Sequence, residues 1–208
     1  MTVKINLKIF IFIAFFFITK QLSVYYSVMF FAFLHEMGHL VVGIVLKLKP
    51  KELVIMPFGI SVTFKTSEID FVSIKELIVA SAGPCVNIII SLVFIFFNID
   101  FLFIDKNILI YSNIILIIFN LIPIYPLDGG RILKAIIHIK YGFKKSVIII
   151  NKISNLLICL LTAISSVLVL YFKNTSIVFI IIYLWIIVVM ENKKYSFKIK
   201  LYEMLDKK

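Results

Sequence analysis

The chain has 208 residues, of which 62% are hydrophobic and only 16% are charged, and its mean hydropathy is +1.11. A soluble domain is closer to about half apolar and about a quarter charged. The composition therefore excludes a soluble enzyme, a disordered tail and a secreted disulfide scaffold, and it predicts a polytopic membrane protein. The formal net charge of +11 does not indicate a nucleic-acid partner, because the lysines interrupt apolar runs and do not line one face.

Six apolar stretches are predicted to cross the membrane as helices, since one span needs roughly 20 mostly apolar residues. The first follows Lys4 and Lys8 and ends near Thr19. It has the charge layout of a signal peptide, but no small-residue cleavage site follows it, so we interpret it as an uncleaved span. The other five are predicted at residues 22–46, 74–98, 107–123, 153–172 and 175–190.

The basic residues are distributed unevenly between the two sides that six spans create. Nineteen lysines and arginines fall on the side of the termini, whereas only three, Lys20, Lys106 and Lys173, fall on the other. Positive residues accumulate in cytoplasmic loops, so this split predicts an even number of spans with both termini in the cytoplasm.

Two segments show the period of two that is typical of strands. In residues 53–64, Pro57-Phe58-Gly59 supplies turn chemistry between two apolar runs, which predicts a hairpin. Residues 195–201 also alternate and are predicted either to lie on anionic lipid or to pair as an edge strand. The expected fold is an all-α polytopic membrane protein with about six transmembrane helices and a small membrane-associated β-hairpin.

The sequence His35-Glu36-Met37-Gly38-His39 carries the strongest chemical signal. Histidines at positions i and i+4 share one helix face and can chelate a single ion, with the glutamate beside them. The alternative is a pair of interior histidines bonded to backbone or hydroxyl groups. Glu36 favours the metal site, because an ionisable residue inside a spanning helix is costly unless it has a functional partner.

A catalytic zinc site normally takes three protein ligands, so a third must come from elsewhere. The candidates are His138 and Asp128, which lies in the segment Asn120 to Gly130 after a predicted helix end broken by prolines. Asp128 has a structural alternative, a turn aspartate that caps a short helix from Arg131. Topology favours Asp128 as a ligand, because the predicted spans place it and the two histidines on the same, lysine-rich side.

These motifs resemble those of the site-2 protease family of intramembrane zinc metalloproteases. HEMGH at residues 35–39 and NLIPIYPLDGG at residues 120–130 occur in the family's order, and SAGPCVN at residues 81–87 resembles its Gly-Pro-containing core span. The resemblance covers most of residues 1–190. It implies one Zn²⁺ per chain and a catalytic glutamate, Glu36. The implied metal ligands are His35, His39 and Asp128. The implied substrate-binding residues are Asn120, Pro123 and Pro126.

The resemblance implies a zinc metalloendopeptidase that hydrolyses a peptide bond in or near the membrane during regulated intramembrane proteolysis. The short chain without a PDZ insertion most resembles the stage IV sporulation protein FB branch, whose members cleave a sigma-factor precursor. We therefore expect a multi-pass protein of a bacterial membrane, with a membrane-associated protein substrate and membrane regulators. Residues 1–190 would form the protease domain, and residues 191–208 a short basic cytoplasmic tail without a CBS domain.

Three residue roles have alternatives. The hairpin at residues 53–64 either holds an unwound substrate by strand addition or only links spans. Gly83-Pro84 either bends a helix or allows close helix packing, and we favour packing. Asn120 either donates to the oxyanion or makes an ordinary interhelical hydrogen bond. A different function also fits buried histidines, namely a membrane carrier or scaffold that binds metal without hydrolysis.

Overall fold

The computed structural model describes residues 2–5, 7, 9–20, 22–56, 59–64, 73–97, 106–172 and 176–205. The chain forms two compact units, Met1–Leu121 and Ile122–Lys208. The predicted break from Asp100 to Lys106, except Lys106 itself, lies outside the described residues. The predicted break at residues 173–174 and the Pro57-Phe58 part of the predicted turn also lie outside them.

Helices account for most of the described chain. They are α1 Ile9–Ile18, α2 Leu22–Val45, α3 Ser73–Phe97, α4 Lys106–Leu121, α5 Asp128–Tyr141, α6 Phe143–Phe172 and α7 Ser176–Leu205. Within the described ranges, three helical segments are long and apolar enough to cross a membrane: Leu22–Val45, Ser73–Phe97 and Phe143–Val167. Large apolar side chains on these helices, such as Val45, Phe96 and Leu156, are exposed, as expected for surfaces that face lipid.

The first predicted span is helical, as predicted, but the helix is short. Helix α1 has only 10 residues, so it extends about 15 Å, whereas the hydrocarbon core is about 30 Å thick. By itself α1 is too short to cross the membrane. Helix α4 is also short, with 16 residues against the 17 of the predicted span at 107–123.

The predicted hairpin is present as part of a larger sheet. Strands β2, Pro50–Met56, and β3, Gly59–Phe64, pair antiparallel, with Leu53 opposite Val62. The sequence did not reveal strand β1, Thr2–Ile5, which pairs parallel with β2. The strand order is β1-β2-β3, so β3 is an edge strand of this sheet.

The first unit is organised around α2. One apolar cluster joins the sheet to the helices through Leu48, Leu53, Val62, Phe64 and Val79. Helix α2 also packs closely on α3: a Cβ added to Gly38 would lie 2.8 Å from Cγ2 of Val86 and 3.1 Å from the carbonyl oxygen of Ala82. Glycine at this position therefore allows α2 and α3 to approach each other.

The second unit contains α5, α6 and α7, and it corrects two predicted boundaries. Helix α6 begins at Phe143, ten residues before the predicted span at 153–172. Helix α7 continues to Leu205, so of the two alternatives for residues 195–201 the edge strand is wrong. Residues 176–205 contain no glycine or proline to stop the helix, and the Glu191–Lys194 ion pair, three residues apart, supports it.

Candidate metal centre

The carboxyl-terminal half of α2 carries His35, Glu36 and His39, and all three side chains are buried. The spacing of four residues places both imidazoles on one face of the helix. Their Nε2 atoms lie 3.1 Å apart. Two nitrogens bound at about 2.0–2.1 Å to one tetrahedral zinc ion lie about 3.3 Å apart. The two imidazoles therefore fit a single zinc ion with an adjustment of only a few tenths of an ångström.

The Nδ1 atoms of His35 and His39 both contact α3, and these contacts orient the two Nε2 atoms. His39 Nδ1 lies 2.7 Å from the backbone oxygen of Val79 on α3. A carbonyl oxygen only accepts, so the ring proton is on Nδ1 and the lone pair of Nε2 is available to a metal. His35 Nδ1 lies 3.2 Å from the side-chain amide of Asn87, also on α3. Both imidazoles are thus contacted from the same neighbouring helix.

Gly83 lies on α3 directly opposite the two imidazoles. A Cβ added at this position would lie 2.6 Å from His35 Nε2 and closer still to His39 Nε2. These are the two nitrogens that would hold the ion. The missing side chain of Gly83 therefore provides the space in front of them, which agrees with the close helix packing that we favoured for Gly83-Pro84. Helix α3 continues through Pro84.

Glu36 is placed beside the histidines and is held by the sheet. Its Oε1 accepts a hydrogen bond from the backbone N–H of Val62 in β3. Among the described strands, β3 lies at an edge of the sheet, and this contact places that edge against the carboxylate. An extended peptide added to β3 would therefore run close to Glu36.

The structure places the other predicted residues as follows. Asn120 is half-buried near the end of α4, in the first unit. In the second unit, Pro123 and Pro126 are half-buried in the turn before α5. Asp128 is the first residue of α5 and is buried. The helix therefore begins at Asp128 and not at Arg131, and its N-cap is Leu127, without a side-chain capping bond.

This position argues against a capping role for Asp128. Its carboxylate lies 3.4 Å from the guanidinium of Arg131, one turn further along α5. His138, the other candidate ligand, is ten residues further along, about 15 Å along the helix axis, so it cannot occupy the same place. The His138 ring packs instead on Phe143, with 5.6 Å between centroids.

The turn that precedes Asp128 is held by contacts that the sequence did not reveal. The backbone N–H of Tyr125 donates to Ser154 Oγ on α6 at 2.9 Å. A Cβ on Gly130 would lie 2.6 Å from the backbone oxygen of Ile124, so the start of α5 packs directly on the turn. Lys134 is fully buried, and its Nζ lies 5.4 Å from the Tyr125 ring centroid and 5.6 Å from that of Tyr195.

Replacing Ser154 with Ala is expected to destabilise the second unit by about 1–2 kcal/mol, because the Tyr125 N–H then has no acceptor. The measurement is the thermal unfolding midpoint of the purified protein in detergent. Ser166→Ala on the same helix is the control, since that exposed hydroxyl bonds to the Ala163 carbonyl of its own helix and to no other described residue. Equal midpoints for the two variants would show that Ser154 does not hold the turn.

Part of the chain matches a family model and a curated relative. Residues 100–163 match the model of peptidase family M50. A zinc metalloprotease of Methanocaldococcus jannaschii is 31% identical over 135 residues, which are 60% of this chain and 38% of that protein. The chain thus matches well under half the length of this curated relative.

A solved structure shares the fold. The site-2 protease from Methanocaldococcus jannaschii superposes with a TM-score of 0.67 at 24% identity, and the match covers 91% of this chain and 90% of that one. The described helices and the small sheet therefore have the site-2 protease fold. Residues 100–163 are thus similar to peptidase family M50, and the aligned 135 residues are similar to a zinc metalloprotease.

Proposed function

We propose that this protein is an intramembrane zinc metalloprotease, with Asp128 completing the site begun by His35 and His39. The observation that carries the proposal is the pair of buried Nε2 atoms 3.1 Å apart, facing the space left by Gly83, with Glu36 beside them. Two imidazoles and one carboxylate are a donor set that catalytic zinc takes. Asp128 suits the third position because it is buried and its predicted span end lies on the side of the histidines.

Zinc in such a site supplies a Lewis acid for the scissile carbonyl and lowers the pKa of a water molecule toward neutrality. Glu36 takes the proton of the attacking water and delivers it to the leaving amine. Asn120 donates its amide to the developing oxyanion, and Pro123 and Pro126 contact the substrate. The edge strand β3 holds the unwound substrate beside Glu36 by strand addition.

The finer proposal concerns topology and substrate. Six spans with both termini in the cytoplasm agree with the nineteen-to-three split of basic residues and place the zinc site nearer the cytoplasm. A zinc site at this depth suits a membrane-associated substrate whose cleaved fragment is released into the cytoplasm. We propose that the substrate is a transcription-factor precursor of the sigma-factor class in a bacterial membrane. The sporulation role rests only on resemblance to the stage IV sporulation protein FB branch.

The experiment measures zinc content and cleavage for the wild-type chain and Asp128→Ala, reconstituted with a panel of membrane-associated sigma-factor precursors. We expect about one zinc per wild-type chain, and a loss of both zinc and cleavage in Asp128→Ala. Glu191→Gln is the control, because that carboxylate pairs only with Lys194 one turn away in the described part of α7. Equal zinc content in wild type and Asp128→Ala would overturn the proposed ligand set.

A metal carrier is the alternative function. It would move zinc across a liposome membrane without producing any peptide fragment. Zinc flux in the wild type, with no zinc-dependent cleavage across the panel, would favour the carrier and contradict the protease.

A further inference from the structure

Asn87 on α3 contacts the imidazole of His35 on α2, one of the two histidines of the proposed metal site. It lies on α3, four residues after Gly83 and therefore on the same helix face, and it is completely buried. Its side-chain nitrogen lies 3.2 Å from His35 Nδ1. An asparagine buried in an apolar helix requires hydrogen-bond partners, and this one reaches the predicted ligand.

The orientation of the Asn87 amide determines which nitrogen of His35 carries the proton. With Nδ2 facing the ring, Nδ1 accepts and the neutral imidazole keeps its proton on Nε2, so the lone pair needed for zinc is lost. In this orientation Asn87 Oδ1 has no donor among the described residues. With the amide rotated by half a turn, Oδ1 accepts the Nδ1 proton, and the lone pair of Nε2 faces the ion.

A second asparagine fixes the backbone at Asn87. The side-chain nitrogen of Asn113 on α4 donates to the backbone oxygen of Asn87 at 2.9 Å and to Ser91 Oγ at 2.8 Å. Asn113 and Asn87 are both fully buried. This polar group ties α3 to α4 at the level of His35, so the amide of Asn87 is held where it faces the imidazole.

We propose that Asn87 is a positioning residue for the metal centre: its side-chain oxygen accepts the Nδ1 proton of His35 and keeps Nε2 directed at the zinc ion. The Val79 carbonyl accepts the Nδ1 proton of His39 in the same way, so each imidazole has one acceptor on α3. The inference rests on the proposed function, because it requires zinc at His35 and His39. Beyond the proposed function, it assigns a role to Asn87, which does not bind the ion itself but acts through His35.

The test compares zinc affinity, by competition with a chelating dye, and the visible absorption of the Co²⁺-substituted full chain in detergent. Asn87→Leu keeps the volume but removes the acceptor, and we expect zinc affinity to fall about 10–100-fold, with a shifted Co²⁺ spectrum. Asn87→Asp keeps an acceptor and should restore the wild-type spectrum with an affinity at least equal to that of wild type. Asn192→Leu, which removes an exposed interhelical partner of Asn155, is the control and should match wild type.

The outcomes separate this inference from the proposed function. A wild-type chain that binds no zinc would overturn the proposed function and the inference with it. A wild-type chain that binds zinc, with Asn87→Leu equally tight, would overturn the inference alone. If Asn87→Leu does not fold, Asn87→Asp decides, because a folded Asp variant with weakened zinc binding shows that the residue does not act as the acceptor.

Discussion

Replacing Glu36 with Gln is expected to reduce peptide-bond cleavage by a factor of about 10²–10⁴ while leaving the zinc content at the wild-type level. The Gln side chain has the same size, and its oxygen still accepts the hydrogen bond from Val62 N–H, so the local fold is kept. An amide cannot take the proton of the attacking water, and this removes the general base. Neither imidazole is changed, so the ion stays bound.

The measurement pairs single-turnover cleavage of a reconstituted substrate with zinc analysis of the same preparation. Glu52→Gln is the matched control, because Glu52 lies on β2 of the same sheet and pairs with Lys4 at the surface. Cleavage by Glu36→Gln at the wild-type rate would show that Glu36 is not the general base. Loss of zinc along with cleavage would instead show that Glu36 maintains the site and not the reaction.

The α2 part of the site was predictable because it is local. The i, i+4 spacing of His35 and His39 and the position of Glu36 between them depend only on the geometry of one helix. The groups that contact these histidines lie on α3, 40 to 52 residues away in sequence. Hydrophobic periodicity within one helix does not predict which residues of another helix it contacts. Asn87 is the last residue of the SAGPCVN motif, but only its contact with His35 indicates that it positions that imidazole.

The sheet shows the same division between local and distant information. Turn residues and alternation predicted β2 and β3, since a hairpin is formed by neighbouring segments. Strand β1 was missed because four residues, Thr2–Ile5, pair in parallel with a strand about fifty positions later. Such pairing has no local signature. In residues 195–201 alternation pointed to a strand, but the helix that begins at Ser176 simply continues through them.

Replacing Gly83 with Ala is expected to weaken zinc binding by more than the 10–100-fold that is typical of changes outside the ligands themselves. The added Cβ would lie 2.6 Å from His35 Nε2 and even closer to His39 Nε2, in the space that the ion needs. Both imidazoles would have to rotate away, and their Nδ1 bonds to Val79 and Asn87 would be strained or lost. Cleavage should disappear with the zinc.

Zinc affinity by dye competition, with thermal unfolding of the metal-free protein, distinguishes this effect from general destabilisation. Alanine is favoured over glycine inside a helix by about 1 kcal/mol, so helix α3 itself is not weakened by the substitution. Ser81→Ala is the control, because within the described part of the chain that hydroxyl bonds to the Leu77 carbonyl of the same helix alone. A Gly83→Ala chain that binds zinc as tightly as wild type would mean that the ion does not occupy the space in front of Gly83, and the centre would have to lie elsewhere on the two imidazoles.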